Sequence, residues 1–168
     1  MPITLRPATQ DDVPMLEAWD QEPIVAASDP NDDWDWDQDM LGAEGLENLI
    51  AELDHRPIGF IQITDLLRDA SCYWGSPQEG FKAIDIWIGE PDARGKGAGR
   101  EMMAQAIRRC FADLTIHTIL IDPITTNTAA IAFYRRLGFT FLENRRFGQD
   151  DCAVHQLTRQ NWNKGPNP

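Results

Sequence analysis

No cysteine pair at redox or metal spacing, no histidine cluster and no long apolar run occurs in this chain of 168 residues. Its three cysteines, Cys72, Cys110 and Cys152, form an odd set, each in or beside an apolar stretch. They read as free thiols in a reducing compartment, which excludes a disulfide-framed scaffold. His55 lies in a turn, His117 in a core-like strand and His155 in a late strand, without HxxxH or His/Cys spacing. No metal site is therefore expected. No serine sits at a strand-to-helix elbow, so a serine–histidine–acid triad is not signalled. No stretch is long enough to cross a bilayer, and the first residues lack the basic-then-apolar pattern of an export signal. The expected location is the cytoplasm. Without repeats, linkers or low-complexity segments, one domain is expected over residues 1–168, fraying beyond Trp162.

Positive charge is also scarce, and unevenly so. The net charge is −12. Residues 1–90 hold 20 acidic and 4 basic side chains, a net −16, whereas residues 91–168 hold 7 and 11, a net +4. A field of this sign repels nucleic acid and anionic membrane, so neither is expected as a partner. It favours a cationic ligand on the first half and tolerates an anionic one on the second. The 42% apolar content is enough for a sizeable core.

The apolar pattern divides into recognisable elements. Ile3 to Arg6 reads as a strand, and Thr9 with Asp11 and Asp12 as a helix start. From Pro23 to Gly45 the periodicity fails, and Trp34 and Trp36 lie among aspartates in a loop or short irregular helix. Leu46–Leu53 and Pro57–Thr64 form a hairpin, 66–81 a long loop, and Ala83–Gly89 a strand with Ile84, Ile86 and Ile88 alternating against Asp85 and Trp87. A helix from Gly99 to Phe111 carries the stripe Met103, Ala106, Ile107 and Cys110. Thr115–Ile121 is apolar on both faces and reads as a central strand. Asn127 caps a helix that Gly138 ends. Phe139–Asn144 and Cys152–Leu157 close the pattern around Gly148. The fold class is α/β, more fully mixed α+β: a mixed sheet with helices on both faces.

Between the Ile84–Ile88 strand and the following helix lies Arg94-Gly95-Lys96-Gly97-Ala98-Gly99, followed by Arg100. Glycines permit close approach, successive amides are exposed, and the positive end of a helix follows. The fitting ligand is a phosphate or pyrophosphate. A Walker loop is excluded, because Gly99 and Arg100 stand where lysine and serine or threonine belong. The spacing of a dinucleotide fingerprint is also missing.

Arg94, Gly97 and Gly99 resemble the pyrophosphate loop of the GNAT superfamily of N-acetyltransferases, and Asn127-Thr128-Ala129-Ala130-Ile131-Ala132-Phe133-Tyr134 resembles its second signature. With Leu5-Arg6-Pro7-Ala8, the resemblance spans nearly the whole chain, apart from 21–45 and 66–82. Arg56-Pro57-Ile58-Gly59, Ala83-Ile84-Asp85, Ile88-Gly89-Glu90-Pro91 and Ile121-Asp122-Pro123 are similar to the bacterial aminoglycoside 6'-N-acetyltransferases. The resemblance implies a mostly antiparallel sheet, acetyl-coenzyme A as cosubstrate, and acetylation of a small cationic amine. It implies that backbone groups of Ile86, Trp87 and Ile88 hold the pantetheine, that amides from Arg94 to Gly99 hold the pyrophosphate beside Arg100, and that Asn127 meets the distal arm. Asp85 becomes the amine-binding acid and general base, Asp122 a second acid across the cleft, and Tyr134 the proton donor to the leaving thiolate. Glu79 and the Asp150-Asp151 pair are further candidates for amine contacts, and Trp34 and Trp36 for covering a sugar ring.

A siderophore amine, a polyamine or a protein N-terminus remains an alternative acceptor, and a non-catalytic sensor of acyl-coenzyme A an alternative class. A protein acceptor predicts an open groove between 21–45 and 66–82, a small cation a closed acidic pocket. The oligomeric state, monomer or homodimer, stays open, although an edge strand near the C-terminus offers a pairing surface.

Overall fold

The computed structural model describes residues 2–31, 34–36 and 41–165. Seven strands form one sheet: β1 (Ile3–Pro7), β2 (Leu46–Leu53), β3 (Arg56–Asp65), β4 (Phe81–Ile88), β5 (Thr118–Ile121), β6 (Thr140–Phe147) and β7 (Asp150–Thr158). Their order is β1-β2-β3-β4-β5-β7-β6, and every pairing is antiparallel except β4 with β5. Among the described residues, the helices include α1 (Val13–Asp20), α2 (Pro23–Ser28), α3 (Ala98–Ala112), α4 (Thr128–Arg136) and α5 (Arg159–Asn163). Helices α2 and α5 lie where the apolar period gives no helix signal, since neither is long enough to show one.

The alternation along β4 sorts its side chains between two cores. Ile84, Ile86 and Ile88 face α3, whose stripe Met103, Ala106, Ile107 and Cys110 is fully buried. Trp87 faces the other way, into a cluster with Leu16 and Trp19 of α1, Trp36 and Phe60. The β2–β3 turn places Asp54 and His55 at φ 50° and 66°, the left-handed pair that a two-residue hairpin requires.

The parallel pair controls the site. Strands β4 and β5 are in register only over Phe81–Thr118, Lys82–Ile119 and Ala83–Leu120. Beyond Ala83, β4 continues on β3 alone, as far as Ile88 opposite Gly59. After Ile121 the chain turns toward β7. There the Ala153 amide donates to the Pro123 carbonyl and the Thr125 amide to that of Asp151, each at 2.8 Å. The two strands therefore part at their carboxyl ends, where open α/β sheets commonly bind ligands.

Two separate sequence segments meet at the end of β4. Arg56 donates to Asp92 at 2.8 Å and to Glu90 at 2.9 Å, and Glu90 also accepts the Trp19 indole N–H at 2.9 Å. Between them, Gly89 packs flat against the Trp19 ring, and any Cβ there would enter the indole. Gly89→Ala should therefore lower stability by about 1–3 kcal/mol. A urea titration showing an unchanged midpoint would contradict that packing.

Candidate active site

Two cavities open from the parting of β4 and β5, and they differ in charge. The first, of about 480 Å³, lies over the α1–α2 side of the sheet. Glu17, Asp20, Asp29, Asp85, Asp122 and Asp150 line it, with no lysine, arginine or histidine among its described lining residues. Asp85 comes from β4 just past the split, and Asp122 from the residue after β5, so the two acids flank the cleft.

Several of these acids are held by neutral donors. The Tyr73 hydroxyl donates to Asp122 at 2.7 Å, the Asn31 amide to Asp150 at 2.5 Å, and the Trp36 indole N–H to Asp20. A neutral donor orients a carboxylate without cancelling its charge, so the cavity keeps its attraction for cations. Burial raises the pKa of the Asp20 carboxyl; the Trp36 hydrogen bond opposes this, and the charge of Glu17 adds to it.

The second cavity, of about 1090 Å³, runs between the glycine loop and α4. Arg100, Arg135, Arg136 and Lys164 line it, with no acidic side chain among its described lining residues. Gly95 and Gly97 hold φ of 72° and 86°, and a Cβ on either would meet nothing within 4 Å. Glycine serves here for backbone conformation, which keeps the loop amides accessible. Gly97 is also the N-cap residue of α3, so the loop ends at the positive end of a 15-residue helix. No residue of α4 is fully buried, because Ala130, Phe133 and Tyr134 border the cavity instead of packing tightly.

Ile86, Trp87, Ala130 and Tyr134 line both cavities and mark where they join. Burial pushes the Tyr134 phenol upward, and the charges of Asp85 and then Asp122 push it further. Tyr134 thus stays protonated at neutral pH, within the electrostatic reach of both acids.

Most of the residues singled out in the sequence fall at one cavity or the other. Ile86, Trp87, Ile88, Gly95, Gly97, Gly99 and Arg100 border the basic one, and Asp85, Asp122, Trp34, Trp36 and Tyr134 the acidic one. Others are placed elsewhere. The Arg94 guanidinium donates to the carbonyls of Ile88 and Gly89, both at 3.0 Å, tying the loop to the strand end. Lys96 is exposed, and Ala98 is buried in the core. Asn127 borders the acidic cavity and caps α4, accepting from the Ala130 amide at 3.1 Å. Glu79 is exposed and does not line the acidic cavity. Asp151 also lies outside it, because alternate residues of β7 face opposite sides; Asp150 and Cys152 face the cavity while Asp151 pairs with Arg146 at 3.3 Å. Glu17 and Asp20 of α1 and Asp29, just after α2, join the cavity, a contribution that no local motif announces. Among the described residues, no group of three or more His, Cys, Asp or Glu is arranged to hold a metal ion, and no helix is long and apolar enough to cross a membrane.

The model of a known family, described as an acetyltransferase (GNAT) domain, matches residues 8–147. The chain belongs to the GNAT acetyltransferases. As such it is an acetyl-coenzyme A-dependent N-acetyltransferase, related to the aminoglycoside 6'-N-acetyltransferases. It is 26% identical over 149 residues to aminoglycoside N(6')-acetyltransferase type 1 of Klebsiella pneumoniae, covering 82% of this chain and 73% of that protein. Its fold matches the crystal structure of the aminoglycoside acetyltransferase AAC(6')-Ib in complex with coenzyme A, at a TM-score of 0.87 and 23% identity over 98% of this chain and 99% of that one. Spermidine N-acetyltransferase from Vibrio cholerae, in complex with coenzyme A and spermine, matches at a TM-score of 0.78 and 16% identity, covering 95% and 97%. This chain's seven-stranded, mostly antiparallel sheet thus belongs to a fold that matches solved acetyltransferases over nearly its whole length.

The raised phenol gives a spectroscopic expectation for this GNAT protein. Subtracting the ultraviolet pH titration of Tyr134→Phe from that of the wild type should isolate a phenol with its midpoint above the usual value of about 10. A difference curve centred at or below that value would place the Tyr134 hydroxyl in water.

Proposed function

We propose that the protein transfers the acetyl group of acetyl-coenzyme A to a primary amine of a small polycation, most like the 6'-amine of an aminoglycoside. The observation that carries this reading is the division of charge: a basic cavity and an acidic one joined at Tyr134 and Trp87. The basic cavity, with the accessible glycine-loop amides and the α3 N-terminus, fits a diphosphate. The acidic cavity fits ammonium groups. Residues from both 21–45 and 66–82, including Trp34, Trp36 and Tyr73, bound the same 480 Å³ space as Asp85 and Asp122. A space of this size suits a small acceptor better than a protein N-terminus. The relatives named for aminoglycoside acetylation support the same choice.

Acetyl-coenzyme A supplies the thioester carbonyl that the amine attacks. The chain's own residues prepare the partners. An ammonium cannot attack, so Asp85, directly or through water, takes one of its protons. Asp122, oriented by Tyr73, holds the amine on the other side of the cleft. The backbone of Ile86–Ile88, unpaired with β5, aligns the pantetheine arm as an added strand and fixes the angle of approach. As the new C–N bond forms and the C–S bond breaks, the Tyr134 hydroxyl gives its proton to the departing sulfur. The nitrogen's second proton passes through the acidic cavity, where Asp85 and Asp122 stand, and returns to the Tyr134 phenolate, so that the net release is the one proton taken first by Asp85. Cys110 takes no part: it lies in the core, on α3, where burial pushes its thiol up to about 12.

A linear polyamine is a second acceptor reading, favoured by the number of carboxylates and by the fold shared with the spermidine enzyme. Thiol release from acetyl-coenzyme A, assayed against aminoglycosides, polyamines and peptides, separates these acceptors. Turnover of kanamycin-like substrates is expected, and Asp85→Asn should lower kcat/KM by about a hundredfold or more. Turnover of peptides alone would remove the assignment.

A further inference from the structure

Tyr73 reaches Asp122 across 49 residues of sequence, from the long segment between β3 and β4. Its hydroxyl donates to Asp122 Oδ2 at 2.7 Å and its side chain lines the acidic cavity, yet the residue is 44% exposed. An exposed ring that nothing holds samples several rotamers, and the orientation of Asp122 would be lost with it. What holds this ring lies on β6. Tyr73 stacks on Phe147, with ring centroids 4.6 Å apart and planes 7° from parallel. Phe147 is buried in the cluster of Leu66, Trp74, Ala83 and Leu120, so it offers a fixed platform.

Arg145, two residues earlier on the same face of β6, grips both sides of this contact. Arg145 and Phe147 stand opposite Cys152 and Asp150, the β7 residues that face the acidic cavity. The Arg145 guanidinium lies over the Phe147 ring, 4.9 Å from its centroid. Its Nη2 also donates to the carbonyl of Trp74, the residue after Tyr73, at 3.0 Å. Trp74 in turn meets Phe147 edge-on at 5.0 Å. The approach is close, since a Cβ on Gly75 would lie 3.3 Å from the same guanidinium nitrogen. The turn presenting Tyr73 is set locally: Asp69 accepts from the Ser71 amide and hydroxyl, and the Gly75 amide donates to the Cys72 carbonyl at 2.8 Å. Arg145 itself lines neither cavity, so contact with a ligand there does not account for it.

We propose that Arg145 is a remote positioning residue of the acceptor site: through Phe147 and the Trp74 carbonyl it fixes Tyr73, and Tyr73 fixes Asp122. This strut rests on the acceptor reading given above and deepens it, because a residue outside the cavity then governs how well the amine is held. Its effect is opposite in sign to that of its charge. A cation on the cavity side of the sheet opposes the binding of another cation, so by charge alone removing Arg145 tightens the acceptor. By the strut, removal loosens it. Lysine keeps the charge but lacks the planar fork that spans ring and carbonyl. By charge alone Arg145→Lys is silent, whereas the strut is lost in it too.

Thiol-release kinetics with kanamycin and acetyl-coenzyme A read that sign. Arg145→Met and Arg145→Lys should each raise the KM for kanamycin about fivefold and leave the KM for acetyl-coenzyme A unchanged. Tyr73→Phe should raise the kanamycin KM about tenfold. Adding Arg145→Met to Tyr73→Phe should then cost less than about twofold more, because both act on Asp122 through one contact. Hydrogen exchange of the ligand-free protein should show residues 66–80 less protected in Arg145→Met than in wild type, with α3 unchanged. A lowered kanamycin KM in Arg145→Met, a full further loss on top of Tyr73→Phe, an equal rise in the KM for acetyl-coenzyme A, or unchanged exchange of 66–80 would overturn the strut. Wild-type protein that acetylates neither kanamycin nor spermine would instead overturn the acceptor reading, and the exchange comparison would still decide whether Arg145 holds Tyr73.

Discussion

The parting of β4 from β5 governs the site. Parallel strands that stayed in register past Ala83 would satisfy each other's backbone groups and leave no cleft between their carboxyl ends. Here β5 stops at Ile121, and the residues after it bond to β7, through Pro123 and Thr125. The far half of β4 is consequently supported by β3 on one side only. That exposed edge lies between a glycine loop leading into α3 and the capped start of α4. Both cavities are products of this one change of pairing.

Charge then separates what the parting has opened. The strongly acidic first half of the chain contributes α1, α2 and β4 to one side, and the basic second half contributes Arg100, α4 and the C-terminal region to the other. Close placement of so many carboxylates costs free energy in the absence of a cation. Tyr73, Asn31 and Trp36 fix carboxylates in place without neutralising them, so the field remains available to a ligand. Tyr134, at the junction, is held in its protonated form by burial and by that same field.

The sequence made the framework legible where chemistry is local. The alternation of Ile84–Ile88, the stripe of α3, the Asn127 cap and the loop Gly95-Lys96-Gly97 each follow from neighbouring residues, and the helices occupy both faces as their apolar sides require. The resemblance placed Asp85, Asp122 and Tyr134 on adjoining walls. What stayed hidden depends on contacts across long separations. Asp20 enters the cavity only because Trp19 packs beside Gly89, some seventy residues later. The part Arg94 plays in tying the loop to the end of β4 shows only once its carbonyl partners there are known. Asp150 and Asp151 are adjacent acids, and the register of β7 turns only one of them inward. The interlocking of Trp34, Trp36, Phe60 and Trp87 carries no periodic signal, since it joins an irregular segment to two strands.

An anion and a cation that enter from opposite sides should meet at Tyr134. A crystal structure of the protein with coenzyme A tests it most directly. The diphosphate should accept hydrogen bonds from amides of the 95–99 loop, with the thiol ending beside Tyr134 and facing Asp85. A cofactor lying in the carboxylate-lined cavity, or a thiol directed away from Asp85, would contradict the account.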